Sequence, residues 1–145
     1  MTNTTKQASP NTTAVFDINK IAGNFPAAAD TMLIDTRLTD EQNASARVFR
    51  VYRPTPAHYH ATCDEYLLVV SGRATFFLGD SPHFEVGPGQ LIFFKQGTVH
   101  GTPEILEEPF VVLAVDTPRR DPRDIIFINP ADGTPESFIQ SKPIY

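Results

Sequence analysis

The sequence predicts an all-β fold, a barrel or sandwich of short strands, and three observations carry that expectation. Six of the eight glycines lie between Gly72 and Gly101, where they separate short runs rich in Phe, Leu, Ile and Val. Regular turn signals between short apolar runs mark folds of this kind. Several runs are apolar on both alternating faces, as in Tyr66-Leu67-Leu68-Val69-Val70 and in residues 91–94 and 110–115, so both sides of those strands need cover. No internal repeat and no helical period of useful length competes with this pattern.

The elements follow in order. The first dozen residues are rich in Thr, Asn and Ser and hold too little apolar surface to fold alone, so a mobile start is expected. Residues 17–22 read as a short helical turn with Asp17 as cap, ended by Gly23 and Pro26. Residues 31–38 and 46–53 read as strands around a polar turn at 39–44, and residues 65–70 as a strand closed by a turn at Ser71-Gly72. Gly89 opens a further strand, with a turn at Gly97 before His100. Past Asp116 a polar stretch leads to Ile125-Ile126-Phe127-Ile128, one more strand, and then to a tail containing Pro and Gly. The division expected is a tail and arm at 1–30, a barrel at 31–117, and an arm at 118–145 packing on the barrel or a partner, one domain in all. A barrel of this size leaves little chain to hide its outer face, so a homodimer is expected.

Length and charge narrow the classes of function. At 145 residues one domain can bury a substantial core. A net charge of -5 argues against general nucleic-acid or anionic-membrane binding. The polar start has no signal-peptide core and no later run could span a bilayer, so a cytoplasmic location is expected. Cys63, the single cysteine, has no internal disulfide partner. It reads as a loop residue without chemical role, the competing reading being a redox-sensitive thiol. Arg119, Arg120 and Arg123 alternate with Asp116, Asp121 and Asp124. They read as a solvated, mutually paired face rather than an anion site.

Chemistry concentrates on His58, His60, Glu65 and His100. Residues two apart on a strand share a face, so His58 and His60 can present their imidazoles side by side to one ion. Glu65 stands at an odd offset from His60, which requires residues 61–64 to loop and reset its direction. His100 follows a strand and a turn and can approach the same point from a neighbouring strand. Three imidazoles and a carboxylate suit one divalent transition metal, Fe, Mn, Co, Ni or Zn, without ranking them. Carrying the parity of His58 and His60 backward would turn Val48, Arg50 and Tyr52 inward. Arg50 would then be a candidate anion anchor and Tyr52 a candidate catalytic acid or base. Pro54 and Pro56 interrupt that continuity, which favours surface or packing roles for Arg50 and Tyr52 over these candidate roles. His83 fits none of this and reads as a turn or edge residue.

These residues resemble the two motifs of the cupin superfamily. His58, His60, Glu65 and Gly72 fit its first motif, with four residues between His60 and Glu65, and Gly89, Gly97 and His100 fit its second. Tyr52 stands where the first expects Gly, and Lys95 and Glu104 where the second expects Pro and Asn. None of the three is a metal ligand in the family. The resemblance covers roughly residues 46–116, and its joint spacing is far more specific than a lone His-x-His. It implies a double-stranded β-helix, the cupin or jelly-roll barrel, with a short N-terminal helical turn and a C-terminal arm. It further implies a metal-dependent enzyme of oxygenase, isomerase or lyase type acting on a small oxygen-rich metabolite. The alternative it leaves open is a non-catalytic cupin that binds or senses a sugar or carboxylate.

Overall fold

A computed structural model describes residues 12–145. The expectation of a mobile start falls, for residues 1–11, outside the described residues. Ten strands and two short α-helices run through the described residues in the order α1 (Ile18–Ala22), β1 (Leu33–Glu41), β2 (Ala44–Val51), β3 (Thr55–Tyr59), β4 (Asp64–Leu78), β5 (Phe84–Val86), β6 (Leu91–Phe94), β7 (His100–Thr102), β8 (Ile105–Thr117), β9 (Ile126–Phe127), α2 (Pro135–Phe138) and β10 (Ile139–Ser141). The hydrogen-bonded order is β10-β1-β2-β8-β4-β7-β3-β9, with β5 and β6 also paired to β4. This curled sheet is the double-stranded β-helix expected.

The long strand β4 organises the barrel. Its first half pairs with β6 through Glu65↔Phe94 and Leu67↔Ile92 and with β8 through Glu65↔Asp116 and Leu67↔Ala114. Its last residues cross to the other side and pair with β7 through Phe77↔Gly101. The turn expected at Ser71-Gly72 is instead a bend inside this strand, where the register with β8 shifts. Gly72 sits at φ 79°, and a Cβ there would lie 2.4 Å from the carbonyl oxygen of Pro109. Glycine therefore serves close approach of two backbones, and pairing continues past it.

Other boundaries moved for similar reasons. The β1–β2 hairpin is longer than expected, with only Gln42 and Asn43 between the strands, while β2 stops at Val51 ahead of Pro54. A five-residue helix is too short to stand alone. α1 is held by its cap, Asp17 Oδ1 accepting from the Lys20 amide at 3.1 Å, and by burial of Ile21 with neighbouring Phe25.

Two apolar clusters share the core. One fills the barrel, with Phe49, Leu67, Phe76, Phe94, Phe110 and Val112 among its members. The other lies on the outer face of β1, β2 and β8, where Ile21, Phe25 and Ile144 from the two ends of the chain cover Ile34, Val48 and Val111. Chain termini thus cover one part of the outer sheet. Another part stays bare: Tyr66, Leu91 and Phe93 are exposed, and Tyr66 packs on Phe93 at 4.7 Å between ring centres. No helix among the described residues is long and apolar enough to cross a membrane.

Candidate metal centre

Local strand geometry brings the three histidines together. His58 near the end of β3 is the cross-strand partner of His100 at the start of β7, and His60 follows β3 by one residue. Each of the three offers one ligand atom, and these atoms all lie within 4.8 Å of one another. All three side chains are buried.

Their orientation is set by the backbone. Nδ1 of His58 faces the Pro56 carbonyl at 2.7 Å, Nδ1 of His60 the Asp124 carbonyl at 2.8 Å, and Nδ1 of His100 the Thr98 carbonyl at 2.9 Å. A carbonyl only accepts, so each Nδ1 carries the proton and each Nε2 keeps a free lone pair. The loop at residues 61–63 is pinned from the C-terminal arm, since the Asp124 carboxylate accepts from the amides of Ala61 and Thr62, both at 2.9 Å. That loop resets the chain as the odd offset of Glu65 required.

Burial keeps these imidazoles neutral. It drives the His60 pKa down to about 3, with the positive charge of Arg120 acting in the same direction. His58 and His100 are held well below the ordinary value by burial and by the other histidines. Neutral imidazole is the ligating form. A pH prediction follows for metal-free protein. Between about 3 and 6.5 the unfolded chain binds a proton at His60 that the folded chain refuses. The stability from this group is complete above 6.5 and is lost as pH falls toward 3, at about 1.4 kcal/mol per pH unit. Urea denaturation of chelator-treated protein between pH 7.5 and 4.5 should show this slope, and His60→Gln should make it shallower.

Glu65 stands beside the cluster. Its Oε1 lies 3.3 Å from Nε2 of His60, and its Oε2 accepts from Arg47 Nη2 at 2.8 Å. With Nδ1 of His60 protonated, a lone pair and a carboxylate oxygen face each other. A cation shared between them relieves that repulsion, so the donor set fits a divalent metal ion.

Arg47 was not anticipated by the sequence reading. It is 2% exposed and also bonds Asp116 Oδ2 through Nε at 2.9 Å and Asp35 Oδ2 through Nη1 at 3.2 Å. Burial alone would lower its pKa, yet Asp116, Glu65 and Asp35 together hold it above its ordinary value. One guanidinium cannot neutralise three carboxylates, and burial with Glu65 nearby raises the Asp116 carboxyl above the usual range. The one available signal was an arginine between apolar neighbours in Ala46-Arg47-Val48-Phe49.

Two expectations about side-chain direction are corrected. Arg50 and Tyr52 do not face the histidines: Arg50 Nη1 and the Tyr52 hydroxyl both donate to the Pro26 carbonyl, at 3.3 and 2.7 Å, and Tyr52 packs with the outer cluster. β2 and β3 pair with different neighbours, so parity is not carried through Pro54, and the inward residues of β2 are Arg47, Phe49 and Val51. Nor is Arg120 part of a solvated face. It is 2% exposed and lines the cavity with the histidines. Arg119 and Arg123 do form outward ion pairs, with Asp40 and Glu136. Cys63 is buried, and burial, reinforced by Asp116 and Glu65, pushes its thiol up to about 12, which leaves it protonated and unreactive. His83 stacks on Phe77 at 5.4 Å, away from the site.

The cavity is small and mostly apolar. Its volume is ≈ 40 Å³. Beside the histidines, Glu65 and the two arginines, its walls are formed by residues such as Leu33, Leu67, Phe76, Ile92 and Phe110, with Thr55 and Thr102 as the remaining polar groups.

Comparisons with known proteins agree with this architecture. The family model of the cupin domain matches residues 50–116. A protein of Klebsiella pneumoniae with a double-stranded β-helix domain is similar at TM-score 0.62 and 19% identity, over 75% of this chain and 93% of that one. The DMSP lyase DddQ of Ruegeria pomeroyi is similar at TM-score 0.53 and 25% identity, over 62% of this chain and 45% of that one. PAC13 of Streptomyces, solved with uridine, is similar at TM-score 0.52 and 18% identity, over 61% of this chain and 71% of that one. A search of curated proteins finds no match. Motif spacing, barrel topology and the matched family model converge on a cupin domain at residues 50–116, set in a double-stranded β-helix.

Proposed function

We propose that this cupin is a metal-dependent enzyme acting on a small oxygen-bearing metabolite, with His58, His60, His100 and Glu65 as the ligands of one divalent transition metal. The observation that carries the reading is the convergence of three buried histidine nitrogens, each with its ring partner fixed on a backbone carbonyl. Such fixing of the second ring nitrogen is the usual support of a metal-binding histidine. The buried charges point the same way: three buried carboxylates, Asp35, Glu65 and Asp116, outnumber the two buried arginines, Arg47 and Arg120, an excess of negative charge that a divalent cation offsets. When bound, the ion would polarise a carbonyl or hydroxyl oxygen of the substrate or serve as the redox centre for dioxygen. The chain's own part is to hold four donors in place, exclude bulk water with its apolar walls, and keep Glu65 Oε1 aimed at the site through Arg47. Oxygenase, isomerase and lyase chemistries all fit this arrangement. That a relative by fold is a DMSP lyase supports the enzymatic class.

A second reading, a small-molecule binding or sensing cupin, is favoured by one observation. Among the described residues the titratable side chains lining the cavity are the three histidines, Glu65 and the two arginines, and none of the others there offers a further acid or base for proton transfer. PAC13 with uridine shows that a relative of this fold takes up a small molecule.

Plasma mass spectrometry of protein purified without chelators, followed by dioxygen uptake and product analysis with diketones, catechols and hydroxy acids, tests both readings. About one equivalent of transition metal with turnover is the result expected. Metal without turnover of any substrate favours the binding role, and absence of metal after reconstitution overturns the ligand set. We also infer that the bare face carrying Tyr66, Leu91 and Phe93, the last two 60% and 43% exposed, pairs two copies of the chain. Sedimentation equilibrium should give the mass of two chains, and a single-chain mass at micromolar concentration overturns it.

A further inference from the structure

The two buried arginines differ in one respect: Arg47 is surrounded by carboxylates and Arg120 has none. Among the described residues Arg120 makes no ion pair within 4.0 Å, whereas Arg47 makes three. The Arg120 guanidinium donates through Nη1 to the carbonyls of Asp121 and Asp124, at 2.9 and 3.0 Å. Among the described residues its buried Nε has no hydrogen-bond partner. Asp116 and Glu65 act on it through space, but both are already hydrogen-bonded to Arg47. A buried cation with an unanswered donor is costly unless an anion meets it. Arginine does not discharge by losing its proton.

The position of this cation matters as much as its isolation. Arg120 lines the same cavity as His58, His60 and His100, and it shares the Asp124 carbonyl with Nδ1 of His60. We propose that Arg120 anchors the carboxylate of the ligand, and that the ligand is a small carboxylic acid with a second oxygen donor and a short apolar body. The inference rests on the proposed metal centre for the second oxygen only. The planar fork of a guanidinium matches a carboxylate. The walls of Leu, Ile, Val and Phe around this small cavity suit a short apolar body beside the two oxygen groups.

Calorimetric titration of the full chain, zinc-loaded and chelator-treated, with 2-hydroxypropanoate, propane-1,2-diol and inorganic phosphate tests this without any variant. Wild type should bind 2-hydroxypropanoate at least about tenfold more tightly than the neutral diol, since a hydrogen-bonded charge pair is worth that much. Equal affinity for the two overturns the anchor, and phosphate binding as tightly as the acid overturns the carboxylate class. Arg120→Gln should abolish the preference with metal content unchanged, Arg120→Lys should keep part of it, and Arg119→Gln, at an outward ion pair, should leave it intact. A merely structural Arg120 would instead weaken acid and diol alike in Arg120→Gln. If no metal binds but the chelator-treated chain still prefers the acid, the metal reading fails and the anchor stands. If metal binds and the preference is missing, the anchor fails alone.

Discussion

Arg47→Met is expected to destabilise the folded chain by about 3–5 kcal/mol at neutral pH, because removing one member of a buried ionic cluster strands the others. Methionine matches the volume of the arginine stem, so the loss reflects charge rather than a cavity. Asp35, Glu65 and Asp116, each no more than 3% exposed, would face one another without the guanidinium that binds all three. The Asp116 carboxyl, already raised by burial and held down in part by Arg47, would rise further above its unfolded value. The folded state would bind more protons than the unfolded one, so the variant's stability should fall as pH rises. Guanidinium chloride unfolding at pH 5.5 and 8 measures this, with the larger deficit at pH 8. A deficit below about 1 kcal/mol at both pH values would show that the cluster holds no buried charge needing compensation.

His60→Ala is expected to lower metal affinity by more than about a hundredfold while leaving the barrel folded, since loss of a ligand exceeds the 10- to 100-fold cost of losing a group that merely orients one. His60 lies one residue beyond β3 and joins no strand pairing, so its removal leaves the ladders intact. Glu65→Gln should cost less, about tenfold by the same scale: the amide oxygen can still coordinate, but its charge and its ion pair with Arg47 Nη2 are gone. Metal competition with a chromophoric chelator, read alongside far-ultraviolet circular dichroism, separates lost ligation from lost folding. Unchanged affinity in His60→Ala would remove this residue from the ligand set.

Much of the fold was legible because its signals are local. The unbroken apolar run at residues 66–70, glycine punctuation from Gly72 to Gly101 and the cap at Asp17 each depend on neighbours a few residues away. The grouping of His58, His60 and His100 was legible for a related reason: offsets of two on a strand, and a histidine placed after a turn, translate directly into proximity. What failed were inferences carried across a break. Parity did not survive Arg53-Pro54, so Arg50 and Tyr52 point outward. Gly72 has the composition of a turn, yet β8 supplies a backbone close enough to carry β4 straight past it.

By itself the sequence determined the all-β class, the family motifs and the grouping of three histidines, since strand periodicity and motif spacing are properties of the chain alone. Only the tertiary structure decided which charges are inside. Arg47 meets Asp116 across 69 positions, and Arg37 reaches the Arg120 carbonyl across 83. The character of an arginine, solvated on a face or buried beside three carboxylates or beside none, depends on which strand packs against it. No local pattern carries that information, because the free energy of a buried charge is set by partners that the sequence leaves far apart.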